Sequence, residues 1–562
     1  MLEIDTPAPV GSVPWRIGAL LAAVFSFREA VDLNVIPLQV YPQWTGPIFL
    51  LFIVSLGCLM LAIAARPRTP APPLAVVSIP TTYVLVVVLA GMFAIARSPH
   101  AFFSDEMAFS ADAARLVAHG MDPYLHAMGS PWRFPTGPLT PTMQGGFMRD
   151  FSYPSLAFLV YVPAVLMGLH NIAFVNLILA LVALVLLYAW SPPPLRPFTP
   201  AIFLVARLMP FSLGATDTIY LVPMLAVVRY IRDRPWVSAV AFGLACAVKQ
   251  TPWFVAPPLA VAVWWEAQGT WGERLRTTVR WTAVAVGAFL VPNLPYIAMN
   301  PAAWLRGTFA PVFGHLVTAG VGLVDLARLP DTALPSTALF LIPGGVFLVT
   351  LALAMRWYPR LPALPFAFPA LITLFLPRSL DFYLFFSLPA LVLAVARLTP
   401  LPAPARSARA ARAATLVPAV TGLAAVAVGI RLWAAMPLAV VPRVVGVEHW
   451  TNPYRRVVFA RILNRSDRPV RLAYFVSNAQ ENFALWSADG PTRVPARTTV
   501  EVALRDSHFT PPLPGEPPDH PAGPWLQLTV TTPSGDEFSG PVYHLDPTPR
   551  LARAAVGGRH RS

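Results

Sequence analysis

A single lysine, Lys249, stands among the 41 basic residues, and the run around it, VSAVAFGLACAVKQTPWFVAPPLAVAVWW, is otherwise apolar. An ammonium at membrane depth is costly, so it reads by default as a functional group facing a cavity or an anion. The alternative is a lysine snorkelling to the headgroups along its aliphatic stem. A carboxylate pair, Asp105-Glu106, follows Ser104 and opens the stretch DEMAFSADAARLVAHG. A carboxylate at a cavity mouth can deprotonate a hydroxyl, and either acid could be that base. The other reading is that both acids complement a helix dipole. Arg378, near the end of a later apolar segment, has the planar fork that suits bidentate phosphate binding, whereas Lys249 offers a point charge. His315, in the expected outer loop 300–336, is a further candidate donor, though a lone loop histidine is more often simply solvated. Tyr124, Tyr153, Asp217, Gln250 and Asp381 form a second rank for sugar or phosphate contacts. Interfacial anchoring for the tyrosines, and helix capping or pairing with Arg378 for the aspartates, are the competing roles.

Those groups need a scaffold that holds charge in apolar surroundings. Of the 562 residues 56% are hydrophobic and 12% charged, and the mean hydropathy is +0.59. These values exclude an ordinary soluble globule and predict a polytopic membrane protein. Cys58 and Cys246 both fall in apolar segments, so neither a disulfide framework nor a cysteine metal site is expected. No His, Cys or carboxylate cluster has metal-ligand spacing, and no Walker or Rossmann loop is present, so neither a metal nor another cofactor is expected. The net charge of +14 sits mostly on arginines flanking apolar segments, which points to membrane orientation and not to nucleic acid. Sixty-four prolines, several inside apolar runs, predict short or broken helices. The acidic N-terminus lacks the charged lead of a cleavable signal peptide.

Crossing a bilayer takes roughly 20 apolar residues. Candidates lie at 13–34, 44–65, 76–96, 154–169, 172–190, 200–213, 216–231, 236–248, 252–265, 281–299, 337–355, 363–376, 381–396 and 414–436. About 11–14 membrane segments result, counting short and re-entrant ones. Arginine clusters at 66–68, 229–234, 274–280, 356–360 and 397–412, if all cytoplasmic, require even numbers of crossings between neighbours. The stretch 236–265 then becomes two short helices turning at Lys249-Gln250-Thr251-Pro252, and 200–213 a re-entrant element. Such backbone is tolerated only against protein or a watery cavity, here an outward-facing one. The outer side receives 97–153, 300–336, Arg378 to Asp381 and everything after about 437.

Within the first outer stretch, Ser104 is placed to cap an interfacial amphipathic helix with Met107, Ala111, Ala114 and Ala118 on its apolar side and Gly120 at its end. The C-terminal portion alternates as half-buried strands do, at Val470, Leu472, Tyr474, Val476 and at Val500, Val502, Leu504, with turns at Asp489-Gly490 and Ser534-Gly535. The organisation is therefore a helical membrane domain over 1–438, with 98–152 as its first large outer loop. An extracytoplasmic β-sandwich follows over 440–548, and then a disordered basic tail over 549–562. Asn464-Arg465-Ser466 matches a glycosylation sequon, a triplet common by chance.

Several of these motifs recur together in one enzyme group. Asp105 and Phe109, Ala113-Ala114, Gly120-Met121-Asp122-Pro123-Tyr124 and Phe151-Ser152-Tyr153-Pro154 are similar to the opening motifs of the GT-C glycosyltransferases, most of all the family-87 mannosyltransferase-like group. The run Gly243-Leu244-Ala245-Cys246-Ala247-Val248-Lys249-Gln250-Thr251-Pro252 resembles that group's Gly-Leu-Ala stretch ending in Lys-x-x-Pro. Arg378 to Tyr383, before Leu388-Pro389, resembles its late Arg and Tyr element. Phe109 stands where the group usually carries Tyr, and Asp217 where it usually carries Gln or Asn. The resemblance, over about 98–396, implies a multi-pass enzyme of the plasma (cytoplasmic) membrane. Such an enzyme moves a hexose, mannose foremost, from a polyprenyl-phosphate-sugar donor to a lipid, glycan or protein acceptor on the outer face, with inversion. It implies Asp105 as base with Glu106 beside it, and Lys249, Arg378 and His315 on the donor phosphate. Two other classes remain open: a transporter or lipid flippase, and a non-catalytic scaffold that binds through its β-domain.

Overall fold

The computed structural model describes residues 104–129, 139–169, 171–192, 199–205, 213–313, 316–320, 329–399, 408–449, 456–478, 485–506 and 525–544, with a few isolated positions besides. The expected segments 13–34, 44–65 and 76–96 lie outside these apart from isolated residues, as do Arg66, Arg68, His315, the side chain of Asp381 and the tail 549–562.

Helix α1, Asp105–Ala118, begins where Ser104 Oγ accepts the Met107 amide and ends before Gly120, whose φ of 74° suits a residue without a Cβ. The expected surface helix is more deeply set than its pattern implied. Glu106 through Ala111 are all buried, as are Ala113 and Ala114, because α1 packs on the broken helix α2–α3, Leu156–Leu159 and Val162–Leu166. Then come α4, Ala173–Trp190; α5, Thr199–Val205; α6, Asp217–Tyr230; α7, Pro235–Cys246; and α8, Ala256–Glu266. The long α9, Trp271–Met299, starts with a Thr270–Glu273 capping box and leads to α10, Pro301–Phe313. The later helices are α11, Ser336–Trp357; α12, Leu364–Thr373; α13, Asp381–Arg397; and α14, Ala408–Ala435.

Four helical stretches among the described residues are long and apolar enough to cross a membrane: Ala173–Trp190, Trp271–Met299, Ser336–Trp357 and Thr415–Ala435. Others, such as α7 and α12, are shorter. Helices α7 and α8 form a hairpin against α9. Phe242 stacks on Trp281 and Gly243 abuts Ala285, so α7 runs with α9; Trp253 then meets Phe289, and Trp264 meets Trp271, as α8 returns. Lys249 sits at the tip. Asn293, buried in α9, holds the neighbouring chain: its Oδ1 accepts the Ser155 amide and hydroxyl at 3.0 Å each and the Trp304 indole at 3.1 Å.

The strands begin inside the helical part. Short β1, Ala319–Gly320, pairs in parallel with β3, Arg378–Ser379, while β2 is Thr332–Leu334. The rest follow α14: β4 Val440–His449, β5 Arg456–Asn464, β6 Val470–Arg471, β7 Ala473–Asn478, β8 Leu485–Asp489, β9 Arg493–Val494, β10 Thr499–Asp506, β11 Trp525–Thr531 and β12 Glu537–His544. One eight-stranded sheet runs β2-β12-β11-β7-β8-β10-β5-β4. Strands β8 and β10 pair only at Asp489–Arg505 and Ala488–Asp506, so the sheet bends there into two layers. The alternation reaches the core as its period requires: Leu472, Tyr474, Val476, Leu526, Leu528 and Val530 meet Val458, Ala460, Ile462, Val502 and Leu504. Two features tie this sandwich to the helical part. Its edge strand β2 comes from residues before α11, and the opposite face of β7 docks on the helical part, with Phe475 buried beside Met143, Val317, Leu339 and Ile342. The sequon side chain is also fully buried: Asn464 donates to the carbonyls of Arg468, Val494 and Pro495, so it holds a turn and is closed to a glycan.

Helices α11 and α14 touch backbone to backbone. A Cβ on Gly345 would come within 2.5 Å of the Gly422 carbonyl oxygen, whereas one on Gly344 meets nothing within 4 Å. Gly345→Ala should therefore lower the melting temperature in mild detergent, an overlap costing about 1–3 kcal/mol. Gly344→Ala should be neutral or stabilising, since alanine is roughly 1 kcal/mol the better helix former. Thermal unfolding of the two single variants checks both.

Candidate functional site

The site is assembled at the N-terminal ends of α1 and α6 and at the tip of the α7–α8 hairpin. Gln250 Nε2 donates to the carbonyls of Ser152 at 2.8 Å and Thr308 at 2.5 Å, and the Leu156 amide donates to Ala247 O at 3.0 Å. These bonds hold the tip against two separate elements. Gln250 thus ties two backbone segments together through its Nε2 while also lining the cavity, where the sequence places it as a substrate contact.

Lys249 emerges from that tip, 2% exposed, between two carboxylates. Its Nζ lies 2.9 Å from both Glu106 oxygens and 2.5 Å from Asp217 Oδ2. The rings of Tyr153 and Tyr383 flank it, with centroids at 5.1 and 4.8 Å. Glu106 is further held at the start of α6, where its Oε1 accepts the Thr216 amide at 2.7 Å and the Thr216 hydroxyl. Glu106 thus accepts from the ammonium and from both donors of Thr216, as a fixed counter-ion does. Lys249 is compensated by two acids and also borders the cavity, where the sequence places a donor-phosphate role for it. Asp217 is fully buried behind it.

Asp105, one residue before, has a different environment. It is partly exposed, and among the described residues its hydrogen-bond partner is Thr140, whose amide donates to Oδ2 at 2.7 Å. Arg378 lies across Thr140: Nη2 donates to Thr140 Oγ1 at 3.4 Å and Nη1 to Val317 O at 3.2 Å. Burial pushes the Asp105 carboxyl above its ordinary range, opposed by hydrogen bonding from Thr140 and the charge of Arg378.

Both side chains line a cavity of about 830 Å³, together with Glu106, Tyr153, Lys249 and Tyr383. Away from these polar groups the lining becomes apolar, through Phe340, Pro343, Phe347, Ile372 and Leu376 between α11 and α12. Tyr124 is not among the lining residues. Its ring packs on Phe151, Phe158 and Tyr296, and its hydroxyl donates to Tyr153 O at 2.7 Å, so it supports Tyr153 from behind. Asp381 opens α13 directly after the Arg378 strand.

No protein-family model, curated protein or solved structure matches the chain. The resemblance to GT-C enzymes therefore rests on the ordered motifs alone. Thr140 and Thr216 join the candidate residues only through the fold, whereas Tyr383 closes the Arg378-to-Tyr383 stretch already picked out in the sequence. Thr140 lies in a Pro-rich stretch with no pattern of its own, and Thr216 precedes Asp217 as an unremarked small polar residue. Among the described residues no group of His, Cys, Asp and Glu side chains could hold a metal ion.

Removing one partner from a buried ion cluster leaves uncompensated charge, at about 3–5 kcal/mol. Lys249→Met should sharply reduce folded, protease-resistant protein in membranes. Adding Glu106→Gln and Asp217→Asn, which keeps shape and discharges both acids, should recover much of it. Size-exclusion profiles of solubilised protein measure the difference.

Proposed function

We propose that the chain is a multi-pass membrane glycosyltransferase of GT-C type, moving a hexose, mannose foremost, from a polyprenyl-phosphate donor to a hydroxyl acceptor on the extracytoplasmic face. The single observation that carries this reading is the pairing of Asp105 and Arg378 across Thr140 at the polar end of a cavity whose other end is apolar. A substrate with a sugar-phosphate head and an isoprenoid tail has that same division. The ordered resemblance over 98–396 points the same way.

In this mechanism Asp105 takes the proton of the acceptor hydroxyl as its oxygen attacks the anomeric carbon. The bond from that carbon to the phosphate oxygen breaks, the electron pair leaves with the lipid phosphate, and configuration inverts. Arg378 balances the charge that develops on the leaving phosphate in a poorly hydrated site. Glu106, Lys249 and Asp217 hold the geometry around Asp105, and Tyr153 and Tyr383 offer ring faces and hydroxyls toward the sugar. No metal or other cofactor enters the scheme.

A second reading, a transporter or lipid flippase, draws on the buried Glu106–Lys249–Asp217 cluster between short helices, an arrangement that also suits an ion-coupled site. It would give substrate movement without an Asp105-dependent product.

Incubation of membranes with radiolabelled polyprenyl-phosphate mannose and cellular acceptors separates the two. Asp105→Asn should abolish transfer while leaving expression intact, and Arg378→Ala should raise the donor KM and lower kcat, since the guanidinium meets a phosphate charged before transfer and more so as it leaves. Full transfer by Asp105→Asn would remove the base assignment. The pH profile carries its own sign. A base must be deprotonated, so activity should fall as pH drops through a pKa above the ordinary carboxylate range. In Arg378→Gln that acid limb should move to still higher pH, because the cation that favours the charged form is gone.

A further inference from the structure

The wall that carries Asp105 and Arg378 consists of loop segments, and its bonds lead to the C-terminal domain. Residues 140–142 run beside 316–317: the Val317 amide donates to Pro141 O at 3.1 Å, and Thr142 bridges to Leu316. The next residues, β1, pair with β3, and the Ala319 amide donates to Pro377 O at 3.0 Å. Gly320 has a φ of 117°, and a Cβ there would strike the Ser379 carbonyl, so this contact requires glycine. The result is a narrow three-segment ladder, with Asp105 bonded to one edge through Thr140 and Arg378 on the other.

A ladder this short is marginal by itself. Two side chains of the β-domain grip it. Glu537, 3% exposed at the start of β12, accepts the Thr318 amide at 2.8 Å on Oε1 and the Thr318 hydroxyl at 2.7 Å on Oε2. Thr531 of β11 donates its hydroxyl to Met143 O at 2.8 Å. The strand β2, arriving from the same outer region, completes the attachment by pairing with β12 at Leu334–Glu537 and Ala333–Phe538. A carboxylate buried to receive one backbone amide and the hydroxyl of the same residue fixes that residue's position closely.

From this chain of bonds we infer that the C-terminal β-domain is the outer brace of the cavity, and that Glu537 is a positioning residue for Arg378 and, through Thr140, for Asp105. The inference deepens the transferase reading and, for its kinetic part, rests on it. The β-domain then acts through the ladder and need not bind any acceptor itself.

Hydrogen exchange of the full-length protein in detergent tests the brace without reference to any reaction. In Glu537→Ala, amides in 139–143, 316–320 and 376–380 should exchange roughly tenfold faster or more, while β5 and β10, on the far layer, keep wild-type protection. Glu537→Gln, whose amide can still accept from the Thr318 amide and bond its hydroxyl, should stay close to wild type. Acceleration confined to residues 525–544, or none in 139–143 and 376–380, would overturn the inference. If Glu537→Ala does not reach the membrane folded, Thr318→Val, which deletes one of the two bonds and leaves the sheet intact, must show the same pattern at smaller amplitude or the inference fails.

Kinetics with radiolabelled polyprenyl-phosphate mannose supply the second arm. Glu537→Ala should raise the donor KM roughly tenfold, in the direction expected of Arg378→Ala, and the loss in the double variant should fall well short of the two single losses combined. Additive losses would sink the positioning role. Absence of transfer in the wild type would instead remove the transferase reading and leave the exchange result to decide the brace.

Discussion

The buried contact of Lys249 with Glu106 and Asp217 is the constraint around which the helical part is organised. Three elements distant in sequence, the starts of α1 and α6 and the tip of the α7–α8 hairpin, must meet for any of these charges to be tolerated away from water. Such a cluster is poor evidence of stability, because desolvation can exceed the attraction gained. Its consequence is specificity of arrangement: a shifted α1 would leave an ammonium and a carboxylate unpaired in apolar surroundings. Fixing Glu106 also fixes the neighbouring residue, Asp105, which bonds to Thr140 at the cavity wall.

The two neighbouring acids differ in what they meet. Glu106 receives Lys249 and both donors of Thr216, whereas Asp105 meets Thr140 and faces the cation of Arg378. Two carboxylates adjacent in sequence thus meet different surroundings, one locked on a buried ammonium and one beside a loop amide at the cavity. On the proposed transferase reading, the inner cluster is scaffold and the Asp105–Arg378 pair is the working site. On the same reading, the apolar lining from α11 and α12 is where the lipid portion of a donor would lie.

The outer wall follows a different logic from the helical interior. Loop segments cannot bury their polar backbone without partners, and here they find them in one another and in β11 and β12. The C-terminal domain is consequently continuous with the cavity wall, sharing a strand, a hydrophobic cluster around Phe475 and the Glu537–Thr318 bonds with it.

Much of this protein was legible in its residues taken in order. The apolar runs and arginine clusters determine a chain with membrane-length helices, the Ser104 cap and Gly120 determine the limits of α1, and the alternation at 470–476 and 500–504 determines the strands and their inward faces. Those features are local: each follows from a period, a cap or a turn within a few residues. The lone lysine and the acid pair were also conspicuous, since charge in an apolar chain stands out by composition. What the sequence did not determine was which charge meets which. That Lys249 would be matched by Glu106 and Asp217, that Thr140 would join Asp105 to Arg378, and that Glu537 would reach back to Thr318 are decisions of tertiary structure. A hydrogen bond spanning over two hundred residues leaves no period or spacing in the chain, and only the packed fold brings its ends together.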